Sequence, residues 1–396
     1  MAWKSYNPEQ AAARFDRAKD FTVGIEEEFQ ILDPESLALA GRFEELQEMA
    51  RRRIGESVRG ELIASEIEIC TGICGSMDEA GQDLRAKRRA VFESAAELGM
   101  LLGATGTHPF ADWKEQRIID TPHYRAIDRQ LRYCAWRNVT FGMHVHIGIR
   151  GRERMIAVFN AIRGHLPALL ALSANSPFAE DRYTYLHSTR TQLFTRSFPR
   201  CGIPCLIDNW NGYTELVDTL FTTGSISEPT QIWWSVRPHP VMVTLETRIC
   251  DCQSSVEDTL AIASLIMAVV ARIAADYDEG GLQPAANANE IEENLWRAVR
   301  HGLDGNLVDF EAKKEVPARE AVRRLIEYSA LQQRQLGLTK YINRVNFILE
   351  NGNGAQRQIR AYNESGDMLA AFRGEIARSQ LEVKRAVDFP CGEGCA

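Results

Sequence analysis

The sequence predicts an α+β fold, with a mainly antiparallel sheet in its first 250 residues and a helical C-terminal part packed on that sheet. Period-two alternation of apolar and polar residues recurs at 21–32, 62–71, 141–149 and 241–250, as in half-buried strands. Long helical insertions separate these segments, so the tight strand–helix alternation of a doubly wound parallel sheet is missing. After the "DEGGLQP" turn the character changes, and residues 288–387 read as helix throughout, with no strand. The expected organisation is a sheet region at 1–280 and a helical region at 281–396, joined in one structural domain.

The strands share one design. Side chains alternate between the two faces of a strand. In "FTVGIEEEFQIL" (21–32), Phe21, Val23, Ile25, Glu27, Phe29 and Ile31 share one face; Gly24, Glu26, Glu28 and Gln30 share the other. In "LIASEIEICT" (62–71), Ile63, Ser65, Ile67 and Ile69 oppose Glu66 and Glu68. In "FGMHVHIGI" (141–149), the apolar face is Phe141, Met143, Val145, Ile147 and Ile149, with His144 and His146 opposite. In "VMVTLETRIC" (241–250), Val241, Val243, Leu245 and Ile249 oppose Thr244, Glu246 and Arg248. The same geometry divides the three adjacent glutamates. Glu26 and Glu28 stay together on the polar face. Glu27 points to the apolar face, where it must sit at the sheet edge or pair with an arginine from a covering helix, because an unpaired buried carboxylate is too costly.

Helices are legible from caps and periodicity. "SMDEAGQDLRAKRRAVFESAAELGMLLG" begins with Ser76 and Glu79 at capping-box spacing and ends in glycine. Residues 152–174 and 257–275 read as apolar helices. Further on come "NEIEENLWRAVRHGLDG", then "AREAVRRLIEYSALQQRQLG" with Gly337 as its stop, then a polar helix from about residue 355.

Composition narrows the partners. With 396 residues and 45% apolar content the chain can bury a large core. A formal net charge of −8, without a lysine and arginine stripe, argues against nucleic acid or an acidic membrane as partner. Small molecules are the expected partners, and a homo-oligomer is left open. Only 8 of the 46 basic residues are lysine, so guanidinium groups abound for bidentate binding of phosphate or carboxylate. The start lacks an apolar signal-peptide core, and the longest apolar run, 259–271, is shorter than the roughly 18 residues of a membrane span. A soluble cytoplasmic protein is expected. The nine cysteines form no C-x-x-C pair and read as small buried hydrophobes, except in the "CGEGCA" tail, which reads as a frayed terminus.

The polar strand faces carry the chemistry. A merely solvated face would favour lysine, threonine and serine, and none of the four strand segments contains a lysine. Two carry glutamate pairs, one a histidine pair and one a glutamate with an arginine. If these faces converge, the carboxylates repel each other and require a cation. Carboxylate-rich ligation with an imidazole suits Mg²⁺ or Mn²⁺ better than zinc. Neither a Walker-type phosphate loop nor a G-x-G-x-x-G turn is present. A nucleotide would therefore bind through its phosphate-bound metals and through arginines: Arg248 first, then Arg237 in "IWWSVRPHP", and Arg190 and Arg196 in "STRTQLFTRSFPR".

The motifs "VGIEEEF", "SEIEICTGIC", "GTHPF", "GMHVHIGI", "ALSANSPF", "TQLFTRSFPRCGIP", "IWWSVRPHP" and "LETRICD" occur in this order between about residues 20 and 305. Together they resemble the bacterial carboxylate–amine ligase family, also labelled glutamate–cysteine ligase type 2. The resemblance implies a glutamine synthetase-like fold, in which a curved antiparallel sheet forms a funnel whose inner face binds Mg–ATP. It also implies ATP-dependent amide formation through an acyl phosphate, with glutamate and cysteine as the labelled substrates. Two or three Mg²⁺ would be held by Glu26, Glu28, Glu68, His146 and Glu246. Arg248, Glu246 and His144 would act in catalysis, and Arg248, Arg237, Arg196 and Arg190 would hold the nucleotide. The family strand often has glutamine where this chain has Glu66, which leaves a metal role for Glu66 open.

Two other readings compete. H-x-H also marks zinc amidohydrolases, which place it near the first strand of a barrel and need further ligands; here it follows two glutamate strands. A non-catalytic nucleotide-binding protein of the same fold would bind ATP without turnover.

Overall fold

The computed structural model describes residues 7–385. Seven strands form one open sheet: β1 (Val23–Leu32), β2 (Val58–Arg59), β3 (Glu66–Cys70), β4 (Leu101–Gly103), β5 (Gly142–Gly148), β6 (Val236–His239) and β7 (Thr244–Asp251). Their order is β6-β7-β5-β1-β3-β2, with β4 also paired to β1. Every pairing in this sheet is antiparallel. The α+β class and the antiparallel sheet are thus as the sequence predicts. An open sheet is not the barrel that the amidohydrolase reading needs.

One face of the sheet is apolar. Val23, Ile25, Phe29, Ile67, Ile69, Met143, Val145, Ile147 and Leu245 are buried there. Each such side chain contributes about 1.5–3 kcal/mol through burial. The Met77–Glu97 and Val256–Asp278 helices pack on this sheet. Ser76 caps the first of them by accepting from Glu79 N, while Glu79 reaches back to Gly75 N rather than to the cap residue. Two stretches, Arg152–Ser173 and Val256–Asp278, are long and apolar enough to cross a membrane by composition, but 72% and 89% of their apolar windows are buried inside the protein.

Several element boundaries differ from the sequence reading. The 62–71 strand begins only at Glu66, and the 241–250 strand only at Thr244. Residues 240–243 form the turn from β6, where Val243 takes φ 59°, a rare conformation for a β-branched residue. The 152–174 helix is two helices, Arg152–Ile162 and Leu166–Ser173, because Gly164 and Pro167 interrupt it with a 3₁₀ turn. The helix stopping at Gly337 breaks once at Ser329, and Gly337 takes φ 68°. The C-terminal part is not all helix: Asn306–Asp309 and Lys314–Pro317 pair as a hairpin. Four residues per strand and many charges gave no readable alternation there. The helical part is fastened to the sheet region by buried charge pairs. Arg344 Nε donates to Asp258 at 2.8 Å, and Arg357 Nη1 reaches the same carboxylate at 3.5 Å. The cysteine-bearing tail, with Cys391 and Cys395, lies outside the described residues.

Glu27 fits the pairing expected for it. It is fully buried on the apolar side. Arg88, from the Met77–Glu97 helix, donates Nη1 to Glu27 Oε1 at 2.9 Å, and Thr259 Oγ1 donates to the same oxygen at 2.6 Å. Arg88 also donates to the carbonyls of Gln253 and Ser254. This knot ties β1 to both covering helices. Glu27→Gln leaves the Arg88 charge without its carboxylate, and removing one partner of a buried pair costs about 3–5 kcal/mol. The expected outcome in urea unfolding is a loss of that order, with the response of the protein to added Mg²⁺ unchanged. A changed response to Mg²⁺ would mean that Glu27 acts on the other face.

Candidate active site

Strand register assembles the polar face row by row. Arg237 of β6 stands opposite Glu246 of β7, which stands opposite His146 of β5. His144 stands opposite Glu26 of β1. Glu28 of β1 stands opposite Glu68 of β3, and Gln30 opposite Glu66. Glu68 in turn faces Arg59 of β2. These rows floor a cleft of about 540 Å³. The acidic and imidazole positions read from the four strands therefore converge, with Glu26, Glu28, Glu66, Glu68, His144 and Glu246 lining that one cleft. His146 lines an adjoining, mainly apolar pocket of about 210 Å³, which it shares with Glu26 and Arg59.

The ligand atoms fall into three candidate metal groups. They are Glu26 with Glu68 and His144, Glu26 with His146 and Glu246, and Glu28 with Glu61 and Glu68, the atoms of each group lying within 4.8 Å of one another. His144 thus joins the ligand set, where the sequence placed it among the catalytic residues. Glu61 is an addition. It precedes β3 in a segment without strand alternation, so periodicity could not point to it. Glu66 is buried on the same face, and its Oε2 has no hydrogen-bond partner, but it belongs to none of the three groups.

The chemistry of the donors fits a hard divalent cation. His146 Nδ1 shares a hydrogen bond with Thr244 Oγ1 at 2.9 Å, which leaves Nε2 turned to Glu26 Oε2 at 3.4 Å. His144 Nδ1 lies 3.1 Å from Glu26 Oε2, and its Nε2 lies 3.5 Å from Glu28 Oε1. Both Nε2 atoms are buried without a hydrogen bond. Oxygen-rich sites with one imidazole suit Mg²⁺ or Mn²⁺.

Electrostatics divide the carboxylates into two sets. Burial would raise Glu26, yet His146 and His144 outweigh it and hold the carboxyl well below its usual range. Burial likewise opposes ionisation of Glu246, but Arg237 and Arg248 hold it well below the usual range. In the other set burial and neighbouring carboxylates outweigh the arginines nearby. Burial, then repulsion from Glu28, pushes Glu61 up to about 8. Burial, then Glu28 and Glu61, raises Glu66. Burial, then Glu26 and Glu61, raises Glu68. The two histidines also diverge. Burial and then Arg248 lower His144, whereas at His146 the nearby Glu26 and Glu246 overcome burial and raise it.

The arginines have distinct positions. Arg237 grips Glu246 with Nε at 2.6 Å and Nη2 at 3.2 Å, and its Nη1 donates to the carbonyls of Thr230 and Ile232. Its fork is engaged by the protein. Arg248 donates Nη1 to Glu246 Oε1, while its buried Nε has no partner. A bulge places it: Thr247 faces Val145 and Cys250 faces Met143, so Arg248 and Ile249 both stand opposite His144. Arg190 lies over the same bulge, donating to the carbonyls of Ile249 and Arg248 at 3.3 Å. Its guanidinium fills the space beside Gly142, where a Cβ would come within 2.1 Å of Nη2. Asp251 fixes the approach of the Thr189–Ser197 helix that carries Arg190, by accepting from Ser188 Oγ at 2.8 Å and Ser176 Oγ at 2.7 Å. Arg196 corrects the sequence reading. It projects from the far side of that helix, 55% exposed, and pairs with Glu292 at 2.6 Å outside the cleft. Six residues separate it from Arg190, which turns the two away from a common face at 3.6 residues per turn.

Comparison with known proteins places this arrangement in a family. The family model described as glutamate–cysteine ligase family 2 matches residues 22–382. The chain is 40% identical over 366 residues to "Putative glutamate–cysteine ligase 2-2" of Rubrobacter xylanophilus, covering 92% of this chain and 93% of that one. It is also 40% identical to "Putative glutamate–cysteine ligase 2" of Solibacter usitatus, covering 94% and 97% of the two chains. Among solved structures, its fold is similar to a glutamate–cysteine ligase from Francisella tularensis crystallised with AMP, with a TM-score of 0.70 at 12% identity over 95% of this chain and 91% of that one. A bifunctional glutathione synthetase from Pasteurella multocida gives 0.67 at 13% identity, covering 96% of this chain and 54% of that one. With its model matched over nearly the whole length and relatives at this identity, the chain belongs to glutamate–cysteine ligase family 2.

Proposed function

We propose that this chain is an ATP-dependent carbon–nitrogen ligase that joins a small carboxylate to a small amine, with glutamate as the carboxylate. The observation that carries the reading is the convergence of Glu26, Glu28, Glu61, Glu68, Glu246 and both strand histidines beside an arginine with an unpartnered Nε. A carboxylate-lined site with a spare guanidinium suits phosphoryl transfer, in which a protein mainly positions reactants and neutralises charge. The names of the relatives agree with a ligase.

The reaction runs in two displacements. An oxygen of the substrate carboxylate attacks the γ-phosphorus of ATP, the bond to the β-phosphate oxygen breaks, and ADP leaves an acyl phosphate behind. The amine nitrogen then attacks the acyl carbon, the carbon–oxygen bond to phosphate breaks, and the departing phosphate takes up the amine proton. The products are the amide, ADP and phosphate. The Glu26, His146 and Glu246 group and the Glu28, Glu61 and Glu68 group are the residues that would hold Mg²⁺ or Mn²⁺. The bound ions supply positive charge for the phosphates and the attacking carboxylate. Arg248 stabilises the charge that builds on the transferring phosphoryl group, with Glu246 aiming its fork. Arg190 supplies a second cation in the same cleft. Arg237 acts through Glu246, which it holds ionised. The base of ATP suits the mainly apolar pocket beside Glu26 and His146, walled by Ile25, Val243 and Met242.

Three measurements test this reading. ADP and phosphate should appear only when both a carboxylate and an amine accompany ATP; AMP and pyrophosphate would overturn the acyl-phosphate route. Arg248→Lys keeps the charge but removes the planar fork, so kcat should fall about 10²-fold with little change in the Kd for ATP. A raised Kd with kcat intact would make Arg248 a ground-state binder. The third measurement is the melting of the metal-free protein against pH. Glu61, Glu66 and Glu68 hold protons more tightly folded than unfolded. Their contribution to stability is whole below the usual carboxylate range and is lost as pH rises, for Glu61 between 4.5 and about 8. Mg²⁺ should therefore raise the Tm more near pH 8 than near pH 5, and an equal rise at both would contradict this account.

A further inference from the structure

The cleft and the apolar pocket beside it meet at His239, a third histidine that belongs to none of the candidate metal groups. It ends β6 and lines the cleft. Its ring stands edge-on to that of His146 at 5.5 Å, and His146 lines the apolar pocket. The turn after β6 fixes where the ring carries its proton. Met242 N donates to His239 Nδ1 at 3.1 Å. A ring nitrogen that accepts a hydrogen bond carries no hydrogen, so the ring is neutral and its proton sits on Nε2. Burial favours the same form: it outweighs the pull of Glu246 and pushes the ring down to about 3. The turn itself is pinned. Val243 N donates to the His239 carbonyl at 2.8 Å, and Arg14 donates to the carbonyls of Pro240 and Val241.

The Nε2 hydrogen is left over. Its neighbour Glu246 Oε2 lies at 3.9 Å, too far for a hydrogen bond. Both oxygens of Glu246 already accept, from Arg237 Nε and Nη2 and from Arg248 Nη1. Among the described residues none accepts from His239 Nε2. A donor on a side chain only 7% exposed is costly to leave unmet, so its acceptor is expected on a bound molecule. Its position says which part of that molecule. His239 stands between the pocket that suits the base of ATP and the Glu26, His146 and Glu246 group that would hold an ion. Ions in phosphoryl transfer bridge the β- and γ-phosphate oxygens. A neutral N–H can bond to such an oxygen without repelling the ion beside it, which a lysine or an imidazolium would do.

Resting on the ligase reading, we infer that His239 is a binding residue for ATP, donating Nε2–H to an oxygen of the β- or γ-phosphate, and that Met242 N holds the ring in the tautomer this requires.

Calorimetric titration of the full chain with Mg·ATP and with AMP tests the inference on two variants that separate the roles of the ring nitrogens. His239→Gln places an amide N–H where Nε2 stands. His239→Asn places an oxygen where Nδ1 accepts from Met242 N, but reaches no further. The glutamine variant should bind Mg·ATP nearly as the wild type does, and the asparagine variant about tenfold or more weakly. AMP, which lacks the β- and γ-phosphates, should bind all three proteins alike. Equal Mg·ATP affinities in the two variants, the opposite ranking, or a loss for AMP that matches the loss for ATP overturns the inference. The wild type supplies a second measurement. In ¹⁵N-histidine spectra at pH 7, His239 should carry its proton on Nε2, and that resonance should move on adding Mg·ATP but not AMP. A proton on Nδ1, or a resonance indifferent to Mg·ATP, overturns the inference without recourse to any variant. ADP release with glutamate and an amine is read separately. Donor-dependent ATP binding without ADP release would overturn the ligase reading and leave the role of His239 standing; ADP release with ATP binding that ignores the donor would do the reverse.

Discussion

Carboxylates buried side by side repel one another, and Glu26, Glu28, Glu66, Glu68 and Glu246 are all buried on one sheet face. At separations near 5 Å and an effective dielectric of about 20, each like-charge pair costs about 3 kcal/mol. A few such pairs would rival the roughly 5–15 kcal/mol that keeps a domain folded. The protein answers in two ways. Glu246 is neutralised by the fork of Arg237 and by Nη1 of Arg248, and Glu26 by His146, with the His144 ring beside it. Glu61, Glu66 and Glu68 are left to hold protons or to meet a cation, and burial raises all three. The second set carries charge that, once ionised, only a cation would relieve. A face neutralised entirely by arginine would be stable and inert.

Such a face must be held from behind. The strands are antiparallel and pair in fixed register, so the acidic rows cannot slide without turning apolar residues into the cleft. The Glu27–Arg88 pair pins the middle strand to its covering helices, with Phe29 and Phe92 lying under the guanidinium at 5.2 and 5.5 Å. Asp251 does comparable work at the end of β7, gathering Asn175, Ser176 and Ser188 around one carboxylate. Both acidic residues are structural, and both adjoin functional ones. Their partners tell them apart. The structural carboxylates have their hydrogen bonds filled by the protein, whereas Glu61, Glu66 and Glu68 in the cleft are raised by one another and by Glu28.

Legibility in the sequence followed the same division. Alternation with period two separates Glu26 and Glu28 from Glu27 because a strand has only two faces. It placed His144, His146, Glu66, Glu68, Glu246 and Arg248 on the cleft side for the same reason. It could not find Glu61, which sits in irregular chain where no period applies. Nor could it foresee the β7 bulge, since an extra residue changes pairing without changing composition. Arg196 lies off the cleft because it stands six residues from Arg190, on another face of the same helix. The short hairpin at 306–317 escaped because its strands are too brief and too charged to alternate. Paired strands in a sheet announce themselves through repetition; loops become readable only when the chain has folded.

The two kinds of chain also carry different parts of the chemistry. Phosphoryl transfer to a carboxylate, the reaction proposed for this cleft, needs donors fixed to within a fraction of an ångström, and strand residues locked by neighbours on both sides provide that. Recognition of the molecules that react needs shape, and the irregular segments at 123–124, 194–198 and 228–233 provide it around the rim. The rim contacts the rigid face through single hydrogen bonds, such as Arg237 Nη1 to the carbonyls of Thr230 and Ile232. A change in the rim can therefore alter binding without disturbing the acidic rows, whereas a change in the rows alters the charge of the cleft floor itself.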